Sequence, residues 1–402
     1  MVAAYTLCLH TADFPYGCGE QFIETEIKYL AQAFQRVVVI PASARGTQRP
    51  VPENVEILQP SYDGYSTFRG MKKSGKWLLN FLPDIFKHPD RKFMLSLVLR
   101  AGFQACRLLL FLQQNGLIDN TLHYTYWFDS QSTLLSILKA KGIIKGYISR
   151  AHGFDLYAER RKDGFIPFRL FQLKHVTRLY IISQNGLNYM KSHYPEYSGK
   201  YRLSYLGIDN NRPLQYIPLQ KTARLIVSCS RMVDIKRIDK IIETLALIKD
   251  IPIKWVHFGD GPLFSELTEL LKILPVNIEV KFKGHVDNMA IYDFYKDNHV
   301  DCFVNLSSSE GLPVTVMEAI SFGIPAVATN VGGTSEIVTD STGILLKNEF
   351  ETEDVKNAVM DILLNKSSNI EFRKGVYEFW KQYFNAEKNY SEFTAEINEI
   401  IN

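Results

Sequence analysis

The sequence predicts an α/β protein made of two domains, each with a doubly wound sheet. The chain has 402 residues, which is too long for one ordinary core and suits two domains. Short apolar runs of strand length alternate with helical patterns, and several of the runs end in a glycine-containing loop. This alternation is typical of parallel sheets covered by helices. We place the domains at residues 1–212 and 222–380, with a polar linker between them.

Composition and charge are those of a soluble globular protein. Hydrophobic residues make up 46% of the chain and charged residues 22%, which is ordinary for packed domains. The formal net charge of +3 does not predict nucleic-acid binding, so any basic surface must be local. We find no signal-peptide pattern and no apolar run that approaches about 18 residues. We therefore expect a cytoplasmic protein.

The cysteines predict buried thiols and no metal site. Five cysteines are odd in number and widely spread, and three of them lie inside apolar runs. Such residues are typical of reduced thiols in a reducing compartment. No group of cysteine and histidine residues has the sequence spacing of metal ligands.

The first predicted unit is a strand, a glycine-containing loop, a helix and a second strand. The strands run from Ala3 to His10 and from Val37 to Ile40, and the loop holds Gly17 and Gly19. Phe22 stands where a dinucleotide fingerprint has its third glycine, so NAD binding is weakly supported. The glycines fit either a tight turn or a close approach to a ligand, and Gly19 is the better site candidate because it precedes the helix.

Residues 41–64 are predicted to form a loop, and basic and large apolar residues then alternate from Phe68 to Leu117. This pattern fits two amphipathic core helices with solvated charged faces. It also fits a basic, apolar surface that lies on an anionic membrane, and the two interpretations are compatible. The basic residues of the segment are Lys72, Lys73, Lys76, Lys87, Arg91, Lys92, Arg100 and Arg107.

A histidine-containing loop follows a predicted strand of the first domain. The strand runs from Lys145 to Ala151 and delivers His152 and Asp155 at its carboxyl end. Ligands of open α/β sheets lie outside the carboxyl ends of the strands. An isolated histidine is usually only a satisfied polar residue, so a site role for His152 depends on its motif, His-Gly-x-Asp.

The second domain opens with a strand and two cations. Leu225 to Ser230 is an apolar strand, and Arg231 and Lys236 follow it. The pair is either a solvated basic turn or a phosphate site, in which arginine offers a forked contact and lysine a point charge. Two further strand-and-loop pairs lie at residues 253–262 and 281–286, and the second contains His285.

The most informative stretch begins with a strand from Asp301 to Leu306. A serine turn leads into a helix with Pro313 as its first residue, where the missing N–H costs nothing. Gly323 is the predicted stop of that helix. A strand from Ile324 to Thr329 and the loop Gly332-Gly333 complete the unit.

Two glutamates bracket the start of this helix. The N–H groups of Val314 and Thr315 open it and offer a positive-ended site for phosphate. Glu310 and Glu318 have seven residues between them, and their carboxylates suit hydroxyls of a sugar and of a ribose. The alternative is a turn glutamate and a solvated helix glutamate without a site role.

This stretch resembles the signature of retaining, nucleotide-sugar-dependent glycosyltransferases of the group-1 type (family 4, GT-B fold), which include enzymes of bacterial surface-polysaccharide synthesis. The matching residues are Glu310…Glu318-Ala319, Gly323-Ile324-Pro325 and Gly332-Gly333…Glu336, with further matches at His152-Gly153-Phe154-Asp155 and Ser230-Arg231…Lys236. The chain departs from the family at Gly311-Leu312-Pro313-Val314, where Gly-Phe-Gly-Leu is frequent, because Pro313 removes one backbone donor.

The resemblance implies two Rossmann-like domains that face a central cleft, with a nucleotide sugar held mainly by the second. A hexosyl group would pass to a hydroxyl of a glycan acceptor with retention, and UDP is favoured over GDP as the carrier. The implied catalytic residues are His152, Glu310, Arg231 and Lys236. The implied donor-binding residues are Gly19, Arg231, Lys236, Gly311, Leu312, Val314, Thr315, Glu318 and His285.

The resemblance also implies that no cofactor and no metal ion accompany the donor. No Asp-x-Asp stands where metal-dependent transferases hold a divalent ion, and two cations and a helix start already suit the phosphates. The acceptor would be a glycan or a polyprenyl-diphosphate-linked sugar, reached at the inner leaflet through the basic segment. Residues 381–402 would form a helix that packs back on the first domain.

Two alternative functions share the predicted nucleotide site. A GT-B-type nucleotide-sugar epimerase would need additional acid–base carboxylates around the sugar, which we do not find in the sequence. An inactive homologue that serves as an assembly partner would be expected to lack Glu310, Lys236 or His152, and all three are present.

Overall fold

The structure is a computed structural model and describes residues 3–17, 19–60, 81, 85–86, 89–161, 163–212, 214 and 223–401. Its contacts divide the chain into two compact units. The first consists of Met1–Tyr205 with Glu387–Asn402, and the second of Leu206–Ala386.

These boundaries differ from the domain limits at residues 212 and 222 that we predicted. Residues beside Tyr205 pair with a segment close to the end of the chain, where the Ile208 N–H donates to the Phe384 carbonyl at 2.8 Å. The Ala386 N–H donates in turn to the Ile208 carbonyl at 3.2 Å. Ile208 is therefore held by the second unit rather than by the first.

The first unit is built on a seven-stranded parallel sheet with strand order β3-β2-β1-β4-β5-β6-β7. The strands are β1 (Ala3–Thr11), β2 (Phe34–Pro41), β3 (Val55–Ile57), β4 (Thr121–Thr125), β5 (Tyr147–Ala151), β6 (Arg178–Ile181) and β7 (Tyr201–Leu203). Its helices begin with α1 (Ile23–Ala33), α2 (Arg91–Gln114), α3 (Ser130–Ala140), α4 (Arg169–His175) and α5 (Gln184–His193). The predicted loop at residues 41–64 was wrong at β3, whose three residues are too few to show a strand period.

The second unit is built on a six-stranded parallel sheet with strand order β10-β9-β8-β11-β12-β13. The strands are β8 (Arg224–Cys229), β9 (Ile253–Phe258), β10 (Ile278–Phe282), β11 (Cys302–Asn305), β12 (Ala326–Thr329) and β13 (Gly343–Leu346). The helices are α6 (Ile238–Ala246), α7 (Phe264–Leu270), α8 (Asn288–Asp297), α9 (Val314–Ile320), α10 (Thr352–Asp361) and α11 (Ile370–Tyr383). A fully buried Trp255 lies in the core that α6 and α10 form on one face of this sheet.

The last helix, α12 (Ala386–Ile401), supplies core residues to the first unit. Its Phe393 and Ile397 are buried in the same hydrophobic cluster as Leu7 and Leu9 of β1. An ion pair between Arg178 and Glu396, at 2.9 Å, holds the helix at the edge of the cluster. The apolar face of α12 therefore completes a core that the first 205 residues leave open.

Helix α2 covers residues 91–114 of the segment in which we considered two helices or a membrane surface. Helix α2 buries one face, including Met94 and Val98, in a cluster with Phe168 and Phe171. Among the described helices only α2 is long and apolar enough to cross a membrane, a test that core helices also pass. Lys72, Lys73, Lys76 and Lys87 lie outside the described residues.

Candidate active site

The predicted site residues of the second unit lie at the carboxyl ends of its parallel strands. Arg231 and Lys236 follow β8, Glu310 follows β11, and Glu318 lies on α9. In a parallel sheet these ends share one edge, and β8 and β11 are hydrogen-bonded neighbours. The fold thus gathers, at one edge, residues that are up to 87 positions apart in the sequence.

Lys236 and Glu310 form an ion pair. Lys236 Nζ donates to Glu310 Oε1 at 2.6 Å, and Asn305 Nδ2 donates to the same oxygen at 3.3 Å. Both charged side chains are mostly buried, with 21% and 12% of their surfaces exposed. A phosphate and a sugar hydroxyl would each have to take over one partner of this pair. Arg231 is exposed and forms no ion pair with any residue that the structure describes.

Arg237 holds the cation-bearing loop in place, a role that the sequence did not reveal. It has a positive φ of 47°, and its guanidinium donates to the carbonyls of Leu306, Ser307 and Asn348. These bonds tie the loop after β8 to the end of β11. Two adjacent cations look alike in a sequence, and only the structure separates Lys236, which pairs with Glu310, from Arg237, which binds three backbone carbonyls.

Glu318 is buried rather than solvated. Only 4% of it is exposed, and its Oε1 accepts weak hydrogen bonds from Asn288 Nδ2 at 3.3 Å and Tyr292 Oη at 3.4 Å. Burial raises the pKa of Glu318 to about 8, against the opposing hydrogen bond from Tyr292. Near pH 7 a carboxyl with this pKa is largely protonated, so it can donate to a ligand hydroxyl as well as accept from one. This finding excludes the solvated-helix alternative for Glu318.

Helix α9 begins at Val314, so our prediction that Pro313 is its first residue was wrong. Pro313 is the N-cap, with φ −72° and ψ 101°, because its extended ψ ends the turn before the helix. The N–H groups of Val314 and Thr315 have no backbone acceptor among the described residues, as expected at a helix start. Leu312 is buried, and Gly311 accepts a 2.7 Å hydrogen bond from the Gly333 N–H.

The Gly-Gly loop packs directly on the residue that carries the site carboxylate. A Cβ at Gly332 would lie 1.9 Å from the Glu310 carbonyl oxygen, and the φ of Gly332 is +55°. Only glycine fits this approach. His285, by contrast, is exposed in the loop after β10.

In the first unit, His152 lies at the carboxyl end of β5 among aromatic rings. Its ring centroid is 4.4 Å from that of Trp127 and 4.8 Å from that of Tyr126. His152 is 7% exposed, and its Nδ1 is 3.6 Å from Asp155 Oδ2. The packing fixes the plane of the imidazole ring.

Asp155 organises the loop that carries His152. Its carboxylate accepts the N–H groups of Phe128, His152 and Gly153 at 2.9–3.0 Å. Burial acts to raise the pKa of Asp155, but the His152 side chain and the backbone donors outweigh it, so this pKa lies below its usual range. The anchored aspartate thus explains the His-Gly-x-Asp spacing.

Glu20 plays the same part in the glycine-containing loop after β1, and the sequence reasoning missed it. Its carboxylate accepts the N–H groups of Ala12, Asp13 and Phe14 at 2.6–3.0 Å, and Trp127 Nε1 also donates to it. A glutamate that follows a glycine loop gives no sign of turning back on that loop. Gly19 is exposed, and a Cβ there would meet its nearest neighbour only at 3.7 Å.

The structure gathers one cysteine and two histidines that are far apart in the sequence. Cys8 and His10 of β1 and His123 of β4 are buried, with Cys8 Sγ 3.5 Å from His10 Nε2 and His10 Nε2 3.2 Å from His123 Nδ1. Burial lowers the pKa of both histidines and raises that of the thiol. The three groups are therefore neutral near pH 7 and meet at His10 Nε2, whereas the buried His123 Nε2 has no hydrogen-bond partner among the described residues. Cys8, Cys106, Cys229 and Cys302 are free thiols.

Comparison with known proteins shows that part of the chain is similar to a known family. Residues 214–379 match the family model "Glycosyl transferases group 1". N-acetyl-alpha-D-glucosaminyl L-malate synthase of Bacillus anthracis is 25% identical over 188 residues, which are 46% of this chain and 47% of that protein. The putative teichuronic acid biosynthesis glycosyltransferase TuaC of Bacillus subtilis is 31% identical over 173 residues, 43% of this chain and 41% of that protein. The aligned segment therefore spans less than half the length of these relatives.

Solved structures match over nearly the whole chain. HepE of Anabaena, crystallised in complex with UDP, superposes with a TM-score of 0.68 at 14% identity, covering 98% of this chain and 100% of that one. A likeness at this identity shows the fold, which is GT-B.

Proposed function

Because residues 214–379 match the group 1 glycosyl transferase model, we propose that the chain is a transferase of this group. It transfers a hexosyl group from a nucleotide sugar to a hydroxyl of a glycan acceptor. The observation that carries the proposal is the set of groups at one sheet edge of the second unit: the Lys236–Glu310 pair, the exposed Arg231 and the buried Glu318. Two cations beside two glutamate carboxyl groups suit a ligand that has both phosphates and hydroxyls.

The role of each residue follows from its chemistry. Arg231 and Lys236 hold the diphosphate and oppose the negative charge that grows on it as the glycosidic bond breaks. Glu310 then takes sugar hydroxyls, and Glu318 takes the ribose. The N–H groups of Val314 and Thr315 add donors for phosphate. In the backbone around them, Gly311 and Leu312 shape the donor contact.

We assign the remaining contacts by the same resemblance. His285 lies near the base, and His152 and the Gly19 loop act on the sugar side in the first unit. The reaction proceeds with retention, and a phosphate oxygen of the donor takes the acceptor proton, so it requires no protein nucleophile. We propose UDP as the carrier, which the UDP complex of the structurally similar HepE supports. No metal ion is needed, because the two cations compensate the phosphate charge.

A thermal-shift panel tests the donor site. UDP-, GDP-, ADP- and CMP-sugars are compared with and without EDTA on the wild type and on Lys236→Ala. We expect UDP-sugars to raise the melting temperature through binding to the folded state, with no effect of EDTA and no shift in Lys236→Ala. A Lys240→Ala variant, which removes an exposed lysine of α6, is the control and should respond like the wild type.

Glu310→Gln separates the roles of the two paired residues. It frees Lys236, so we expect UDP alone to bind as tightly as in the wild type or a few-fold more tightly, in line with the about 0.2–1 kcal/mol of a partly exposed pair. Transfer should fall on the order of 100-fold. If no nucleotide sugar raised the melting temperature of the wild type, the donor site would be refuted and the inactive-homologue alternative would be favoured.

A further inference from the structure

The first unit contains a cavity of about 420 Å³ between α2 and the loops that follow β4 and β5. Its size lies in the range of small-molecule sites, which is about 300–1,000 Å³. Leu134, Ile166 and Phe168 form part of its apolar wall. A second cavity of about 220 Å³ shares Gln104, Ser130 and Leu134 with it and adds Arg107 to the lining. The shared residues make the two cavities neighbours, and we call them together the α2 cavity.

The charged groups of the α2 cavity are mainly cationic. Arg100 of α2 is exposed and forms no ion pair with the described residues. Arg161 donates from Nε to the Phe154 carbonyl at 3.0 Å and lies over the Phe154 ring at 5.4 Å. Its other guanidinium nitrogens form no hydrogen bond with the residues that the structure describes. The one carboxyl in the lining, Asp129, has its pKa raised by burial to about 7. The cavity therefore carries net positive charge near neutral pH.

A buried amide also points to a ligand. Gln172 lines the cavity and is 1% exposed. Its Nε2 donates to the Asp129 carbonyl at 2.6 Å and to Thr133 Oγ1 at 2.8 Å, whereas its Oε1 has no hydrogen-bond partner among the described residues. Buried polar atoms are nearly always satisfied. A hydroxyl donor in the cavity would satisfy this oxygen.

Aromatic rings connect the α2 cavity to His152. The Trp127 ring lies 4.4 Å from His152 and 4.9 Å from Phe154. Phe154 is 44% exposed and lines the cavity. Such rings offer faces on which the apolar side of a sugar ring packs. A molecule in the cavity would thus extend toward the residue to which we assign the sugar side of the reaction.

We propose that the α2 cavity binds the acceptor and selects one that carries an oxyanion, a carboxylate or a phosphate, which Arg100 and Arg161 contact while Gln172 Oε1 accepts from a sugar hydroxyl. This inference rests on the proposed transferase function and names its acceptor class. The donor diphosphate has its own cations in the second unit, so the cations of this cavity serve another anion.

Direct binding tests the inference without activity. D-glucuronate, D-glucose 6-phosphate and D-glucose are titrated into the full chain and followed by ligand-observed NMR. We expect each oxyanion sugar to bind at least about tenfold more tightly than glucose, since a charge-assisted hydrogen bond is stronger than a neutral one. Tighter binding of D-glucuronate would indicate an acceptor with a carboxylate, and tighter binding of D-glucose 6-phosphate would indicate an acceptor with a phosphate.

Three variants locate the binding. Arg100→Gln and Arg161→Gln should each reduce the affinity for the preferred anion to that for glucose. Arg91→Gln makes the same change on the same helix outside the cavity lining and should have no effect. Equal binding of all three sugars, or an equal loss in Arg91→Gln, would overturn the inference. If the wild type bound the anionic sugar through Arg100 but no nucleotide sugar in the thermal-shift panel, the proposed transfer would be refuted and the anion site would stand.

Discussion

At the scale of single residues, burial changes the chemistry of a side chain more than its identity does. Glu310 and Glu318 have the same side chain and lie eight positions apart. Glu310 is neutralised by Lys236 at 2.6 Å, whereas Glu318 is buried with only two weak neutral donors. The cost of burying the ionised form of Glu318 is therefore uncompensated, and ionisation of Glu318 should lower the stability of the folded state.

We predict that Glu318→Gln stabilises the protein at high pH. The folded-state pKa of about 8 lies above the ordinary value of 4.5, so the folded state binds the extra proton. The contribution of protonated Glu318 to the free energy of unfolding is fully present below about pH 4.5, falls as the pH rises, and is lost above about pH 8. The variant lacks this loss, and its melting temperature should exceed that of the wild type by several degrees at pH 8.5 but hardly at pH 4.5.

A pH series of thermal unfolding measures this difference. Glu279→Gln, an exposed position on β10, controls for the substitution itself. If the advantage of Glu318→Gln were the same at both pH values, burial of a charged carboxylate would not be its cause.

At the scale of elements, helix α2 carries two opposite surfaces. Arg100 and Gln104 line the cavity, whereas Leu95 and Leu110 are each 39% exposed. At 100° per residue, these two leucines are about 60° apart around the helix axis. The helix thus presents an apolar stripe beside its basic residues, which is the composition of surfaces that bind anionic membranes.

We predict that this stripe binds vesicles that contain anionic lipid. In a co-sedimentation assay the wild type should pellet with phosphatidylcholine–phosphatidylglycerol vesicles and less with phosphatidylcholine alone. Leu95→Ser with Leu110→Ser should reduce membrane affinity about tenfold, because burial of the exposed 39% of each leucine contributes roughly 0.6–1.2 kcal/mol. Ile273→Ser, at an exposed apolar residue of the second unit, should bind like the wild type.

Failure of the wild type to pellet with anionic vesicles would refute the membrane contact that we expect of this segment. The acceptor would then be reached from solution, and the donor site would be unaffected.

At the scale of the whole molecule, the end of the chain completes the first unit. Arg150 of β5 and Glu26 of α1 form a fully buried ion pair at 3.2 Å, joined by the Tyr124 hydroxyl. The Phe393 ring of α12 lies 4.4 Å from the Arg150 guanidinium. Helix α12 therefore shields a buried charge as well as apolar strand residues.

We predict that Ile397→Ala destabilises the first unit. Ile397 is fully buried in the cluster that contains Leu7 and Leu9, and such truncations cost about 2–5 kcal/mol. Ile370→Ala, at a residue of α11 that is 51% exposed, is the matched control. Urea unfolding followed by circular dichroism should show an earlier transition for Ile397→Ala only. An unchanged profile would mean that α12 does not contribute to the core.

The local patterns of the sequence determined much of the fold. Apolar runs predicted most strands of both sheets to within a few residues, because buried parallel strands must be continuously apolar. The motifs around His152 and Glu310 predicted the family through their residues. They predicted the position of the candidate site because each follows a strand whose end is recognisable in the sequence.

Only the tertiary structure decided which of these residues touch. The Lys236–Glu310 pair, the burial of Glu318, the anchoring of two loops by Glu20 and Arg237, and the cluster of Cys8, His10 and His123 all join parts of the chain that have no pattern in common. Desolvation and hydrogen bonding depend on neighbours in space, and a sequence period reports only neighbours along one helix or strand. The boundary at Tyr205 has the same origin, because Ile208 pairs with residues near the end of the chain.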